Sequence, residues 1–178
     1  MTEEGRLRKE ALDIVSHLDI MDLLKGYGHA EIVGSVALDL IVKRDIDIHS
    51  VILVHDLMRV AQHLVSVLID IKGVREVRVT DHREKNAIKL AIDEFPGESG
   101  PWSIDIWLTT DEKTAGFSLI DSLSEKLDTE KRESILKIKR HYHIRGLLQN
   151  GLSDLIYTAV AEDGIKDVRQ FELWLSQT

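Results

Sequence analysis

Val33-Gly34-Ser35-Val36-Ala37-Leu38-Asp39-Leu40-Ile41-Val42-Lys43-Arg44-Asp45-Ile46-Asp47-Ile48 is the stretch that decides how this chain is read. The strict alternation from Asp45 to Ile48 signals a β-strand. Residues two apart on a strand share a face. Asp45 and Asp47 therefore stand side by side, while Ile46 and Ile48 point the other way, toward a core. Adjacent carboxylates repel one another, and crowding them without compensation is costly. A divalent cation removes that conflict. Mg²⁺ favours carboxylate oxygens, substrate phosphates and water. Upstream, Ile32 and Val33 make a short apolar strand that breaks at Gly34-Ser35. A glycine there lets a phosphate approach the backbone, and exposed N–H groups can hold an anion. The Ser35 hydroxyl adds a donor.

Outward from this stretch, the periodicities order the rest of the chain. Leu7, Ala11, Ile14, Val15, Leu18 and Met21 recur at helical spacing, ended by Gly26 and Gly28. The segment after Gly34-Ser35 reads as a helical turn or short helix. Residues 56–72 form the clearest amphipathic helix, with Leu57, Val60, Ala61, Leu64, Val65, Leu68 and Ile71 on one face and Gly73 as its stop. Strands are expected at 74–80, 86–95 and 102–110. The last two flank the loop Pro96–Pro101, as an antiparallel hairpin would. After Asp111 the chain is helical and amphipathic to its end. The expected fold is α+β: a mixed sheet with helices on one side and a helical C-terminal region. Its division falls into a core of residues 1–112 and a helical region of residues 113–178 packed on it.

Within 102–110, Ile104, Ile106 and Leu108 alternate with Ser103, Asp105 and Trp107. Asp105 therefore points away from the core, as Asp45 and Asp47 do, and is the candidate third carboxylate; Asp93 is its competitor. If the two strands are neighbours, the three acids can hold one or two metal ions. Lys43 and Arg44 precede the carboxylate strand and can reach phosphates, though surface charge is the plainer reading. His49 shares the carboxylate face and reads as a bystander. Trp107 can stack on a base or an acceptor ring, but packing under the C-terminal helices is the plainer expectation. His141 and His143 diverge by roughly 200° on a helix, so they do not converge on a metal.

Composition narrows the classes of function. The 178 residues include no cysteine, which excludes disulfides, thiolate metal sites and a cysteine nucleophile. No apolar run approaches a membrane span, and the charged N-terminus has no apolar signal region, so a cytoplasmic protein is expected. The net charge of −8 disfavours a general nucleic-acid binder but not a small anionic ligand held by metal. The apolar stripes near the C-terminus, with Leu147, Leu148, Leu155, Ile156, Val160, Phe171 and Trp174, read as core, and a homodimer interface or an acceptor cleft is an alternative use of an exposed part of them.

The sequence resembles the nucleotidyltransferase superfamily that includes DNA polymerase beta. The resemblance rests on Val33-Gly34-Ser35, nine intervening residues, Asp45-Ile46-Asp47-Ile48, and the later Ile104-Asp105-Ile106. It covers roughly residues 28–110. The run from Gly34 to Ile48 is most similar to small bacterial enzymes that adenylylate lincosamide or aminoglycoside antibiotics. Two departures stand out. Arg44 occupies the position before the first Asp where many relatives have Ser, and Val36-Ala37-Leu38 replaces an aromatic and an Ala-Arg-Gly run. The resemblance implies that metal on Asp45, Asp47 and Asp105 grips a nucleoside triphosphate, ATP by preference. A hydroxyl of a small-molecule acceptor would then attack the α-phosphorus. Gly34, Ser35, Lys43 and Arg44 would bind nucleotide, and Asp105 would share a metal or deprotonate the hydroxyl. Nucleic acid is the less expected acceptor. The rival readings are a non-catalytic nucleotide-binding or regulatory module, an adenylyltransferase acting on protein in a toxin–antitoxin pair, and a helix-rich scaffold with no nucleotide site.

Overall fold

The computed structural model describes residues 2–54, 56–149 and 151–177. Its strands are β1 (Gly28–Val33), β2 (Asp45–Ile52), β3 (Arg78–His82), β4 (Ala87–Phe95) and β5 (Trp102–Thr109). Its helices are α1 (Glu3–His17), α2 (Ile20–Lys25), α3 (Gly34–Ala37), α4 (Leu57–Leu68), α5 (Glu112–Ala115), α6 (Phe117–Lys126), α7 (Thr129–Ile144), α8 (Leu152–Ala161) and α9 (Val168–Leu175). The strands form one sheet in the order β1-β2-β5-β4-β3. Among the described residues β2 and β5 pair in parallel, and the other neighbours are antiparallel. The fold is thus a mixed α+β sheet, as the alternating and helical periodicities require.

The two faces of the sheet differ as the alternation demands. Ile46 and Ile48 of β2, Leu90 of β4, and Ile104 and Ile106 of β5 are fully buried. They join Leu7, Ala11 and Ile14 of α1 and Val60, Ala61 and Leu64 of α4 in one apolar cluster. A second cluster gathers Leu123 of α6, Ile135 and Ile138 of α7, Ile156 and Val160 of α8, and Phe171 of α9. Leu38 and Leu40, just after α3, belong to this second cluster, whereas Val36 and Ile41 belong to the first. Residues 36–41 therefore stitch the two clusters together. Side-chain cations hold this segment by its carbonyls. Arg8 donates to Val36 O at 3.0 Å, Arg132 to Leu38 O at 2.6 Å and Lys139 to Leu40 O at 2.8 Å. No helix among the described residues is long and apolar enough to cross a membrane.

Several boundaries differ from the sequence reading. The first helical stretch breaks at Asp19, whose φ of 51° is left-handed, and so becomes α1 and α2. Gly28 does not stop a helix; it opens β1. A Cβ there would lie 1.9 Å from Val51 O, so close pairing with β2 requires glycine. The helix expected over 56–72 ends at Leu68. Asp56 caps its start, accepting from Arg59 N at 3.0 Å. β3 begins at Arg78, later than the expected 74. The β4–β5 hairpin forms around the proline-bracketed loop, with a bulge between Ile92 and Phe95 where Glu94 takes φ 56°.

Candidate active site

Parallel pairing of β2 with β5 sets Asp47 directly opposite Asp105. Asp45 lies two residues earlier on the same face. The three carboxylates converge: one oxygen from each lies within 4.8 Å of the others. Asp93, the competing acid, lies elsewhere, exposed on β4 and paired with Arg78. The acids carry internal counter-ions. Lys43 Nζ lies 2.5 Å from Asp45 and Lys89 Nζ lies 2.7 Å from Asp105. Among the described residues Asp47 forms no ion pair within 4.0 Å. Burial, then the charges of Asp45 and Asp105, push its carboxyl up to about 7, with Lys43 and Lys89 opposing. Three half-buried carboxylates converging in this way are the oxygen donor set a hard divalent cation fits.

The Gly34-Ser35 turn lies against this cluster. Val33 pairs with Asp47 in the β1–β2 ladder, and the chain turns immediately afterwards. Gly34 has φ +64°, and a Cβ there would lie 2.9 Å from Asp47 Oδ2. Both the backbone conformation and the approach of the carboxylate therefore require glycine. Ser35 is largely buried. No hydrogen bond of its hydroxyl is found among the described residues, although it faces the adjoining cleft. Lys43 lines the same cleft. Arg44 does not: its guanidinium turns to the other side and donates to Ser99 Oγ at 2.9 Å. Alternation at the entry to β2 separates the two cations. The structure thus brings Gly34, Ser35, Lys43, Asp45, Asp47 and Asp105 together and leaves Arg44 out.

The cleft is about 200 Å³, and its far wall is built by the C-terminal helices. Lys139 of α7, with Ser153, Asp154 and Tyr157 of α8, lines it. The sequence reading did not single these out, because they are remote in sequence and lie within ordinary amphipathic helices. The one available signal was a lysine at a position of the helical period otherwise held by apolar residues. Lys139 is 1% exposed. It donates to Leu40 O at 2.8 Å and to Tyr157 Oη at 2.7 Å. Burial, then the charge of Lys43, pulls its ammonium down to about 7, while Asp45, Asp47 and Asp154 oppose. Burial raises the carboxyl of Asp154 and the phenol of Tyr157.

His49 donates through Nδ1 to Ala115 O at 2.6 Å, and burial holds its imidazole below the ordinary value. Trp107 is not part of the apolar cluster of C-terminal helices. It meets His82, His49 and Lys89 on the sheet instead.

No family profile and no curated protein matches the sequence. Solved structures do. A cytoplasmic RNA terminal U-transferase superposes with TM-score 0.62 at 18% identity, over 85% of this chain and 48% of that one. The Cid1 poly(U) polymerase, in its MgGTP-bound form, gives 0.59 at 19% identity, over 80% of this chain and 44% of that one. The polymerase core of TRAMP, an RNA surveillance complex, gives 0.55 at 18% identity, over 98% of this chain and 56% of that one. The chain spans about half the length of the solved structures it matches. Its fold is the nucleotidyltransferase fold.

Proposed function

We propose that this chain is a metal-dependent nucleotidyltransferase that moves a nucleoside monophosphate from a nucleoside triphosphate to a hydroxyl. One observation carries the reading: Asp45, Asp47 and Asp105, from two parallel strands, converge where the Gly34-Ser35 turn touches Asp47. Asp45, Asp47 and Asp105 would hold one or two Mg²⁺ ions, which supply charge neutralisation to the triphosphate. The backbone N–H groups at Gly34-Ser35 and the unpartnered Ser35 hydroxyl suit phosphate oxygens. Lys43, and Lys139 and Ser153 across the cleft, add donors. The acceptor oxygen forms a bond to the α-phosphorus, the bridge from α to β breaks and pyrophosphate leaves. Asp105 takes the hydroxyl proton. Catalysis in such a site rests on positioning and charge neutralisation.

The finer assignments are ATP as donor and a small acceptor. Both are supported by the resemblance to antibiotic-adenylylating enzymes, and the small acceptor also by the net charge of −8. A second reading, the end of an RNA as acceptor and UTP as donor, is favoured by the names of the solved structures that share the fold. Competition among the four nucleoside triphosphates distinguishes the donors.

The test is calorimetric titration of nucleoside triphosphate with Mg²⁺ into the wild type, Asp45→Ala and Asp47→Ala, together with pyrophosphate release across an acceptor panel. Metal-dependent binding is expected to disappear in both variants, and release to fall by on the order of 100-fold or more. Unchanged metal-dependent binding in both variants would sink the reading.

A further inference from the structure

We propose that the open half of the carboxylate face, across β5, β4 and β3, is the acceptor platform of this site and takes a nucleotide. The nucleotide's ring stacks on the Trp107–His82 pair and its phosphate meets Lys89, with Arg78, ion-paired to Asp93, at the edge of the same surface. The proposal rests on the nucleotidyl-transfer reading and adds to it the class of acceptor.

The placement follows from strand register. Trp107 lies two residues beyond Asp105 and so shares its face. Lys89 of β4 pairs opposite Trp107, and Thr80 of β3 pairs opposite Lys89. His82 and Arg78 flank Thr80 two residues to either side and belong to the same face. Contacts agree with register. The Trp107 and His82 rings stack with centroids 5.2 Å apart and 27° between planes. Lys89 Nζ lies 5.5 Å from the Trp107 ring centroid and also 2.7 Å from Asp105. The apolar faces of α1 and α4 pack on the opposite side of the sheet. Thr80 and Arg78 are exposed, and Trp107, His82 and Lys89 are half-buried.

The direction of attack selects this surface. The phosphate-facing groups Gly34, Ser35 and Lys43 lie on the β1–β2 side of the carboxylates. In-line displacement requires the incoming hydroxyl to approach opposite the departing pyrophosphate. On this sheet the side opposite those groups is the surface beyond Asp105, over β5 and toward β3. What lies there is an aromatic pair with cations beside it, the combination that receives a base and its phosphate. Were Asp105 to hold a cation, Lys89, which now lies 2.7 Å from that carboxylate, would have its ammonium available for a phosphate on the same face. The chain as a whole carries −8, so it has no extended basic track. The platform therefore holds one or two nucleotides, supplied either as a free mononucleotide or as the 3′ end of an RNA.

The test is fluorescence anisotropy of a 5′-fluorescein hexa-adenylate with a free 3′-hydroxyl, in the presence of Mg²⁺ and a non-hydrolysable ATP analogue, with unlabelled AMP as competitor. Trp107→Ala and His82→Ala are expected to weaken hexamer binding by roughly tenfold. Trp107→Phe, which keeps an aromatic face, is expected to restore it. The affinity for the ATP analogue is expected to stay within about twofold across these variants. Displacement by AMP at concentrations close to the hexamer's own Kd marks a free nucleotide as the natural acceptor. Hexamer binding far tighter than AMP marks an RNA end. No hexamer or AMP binding by the wild type, or equal binding by Trp107→Ala, overturns the proposal. Failure of the analogue to bind the wild type defeats the nucleotidyl-transfer reading instead, and repeating the hexamer titration without analogue then reads the platform separately.

Discussion

Asp47 sits at an electrostatic disadvantage among the three converging carboxylates. Its carboxyl is half-buried, faces two other acids and is pushed up to about 7 from an ordinary 3.8 by desolvation and by their charge. A carboxyl raised in this way binds more protons when folded than when unfolded. Metal-free stability is therefore lost as pH rises from 3.8 to about 7. Asp47→Asn removes that dependence. Urea denaturation without metal is expected to show the wild type losing stability relative to Asp47→Asn between pH 4 and about 7, with the difference levelling above it. Mg²⁺ must displace the proton to bind, so its melting-temperature increment should be larger at pH 8 than at pH 6 in the wild type and absent in Asp47→Asn. A wild type and variant with parallel pH profiles would remove this account of the cluster.

At the scale of elements, α7 and the 36–41 segment are joined by a fully buried hydrogen bond. Lys139 is the side chain through which α7 grips Leu40 O. Its ammonium is pulled down to about 7 from 10.5, so the folded state releases a proton that the unfolded state keeps. The cost of burying the charge is fully present below pH 7 and is relieved as pH rises from about 7 toward 10.5. Chemical denaturation at pH 7 and pH 9 is expected to show the wild type gaining stability relative to Lys139→Met over that interval. Equal gains in both proteins would mean that Lys139 stays charged in the fold. The same element explains why a lysine is tolerated at so buried a position. Its stem packs among apolar neighbours, while its head satisfies a carbonyl and a phenol at the cleft wall.

At the scale of the whole molecule, the two apolar clusters meet through Val36, Leu38, Leu40 and Ile41. The cleft lies between them. We therefore expect residues 1–112 and 113–178 to unfold together. Trp102 belongs to the first cluster, and Trp174 packs against the second. Single-tryptophan variants that retain one or the other should report coincident denaturation midpoints, matching far-UV circular dichroism. Leu40→Ala should shift both midpoints together, at a cost of about 2–5 kcal/mol. Two separated transitions would show that the clusters fold independently and that the cleft is a hinge between domains.

Local pattern determined much of this protein. The alternation Asp45-Ile46-Asp47-Ile48 placed acids on one face and core on the other. Ile104-Asp105-Ile106 did the same one strand away, and the Gly34-Ser35 break had its own signature. These were legible because strand period and glycine geometry are properties of a few consecutive residues. Other features were decided only by tertiary structure. Neither the divergence of Arg44 from Lys43 nor the requirement for Gly28 in a strand, rather than at a helix end, is written in neighbouring residues. The same holds for the far wall of the cleft, with Lys139, Ser153 and Tyr157, and for the partners of Trp107. Each depends on which distant segment packs alongside, and that is settled by the burial of two apolar clusters across the whole chain.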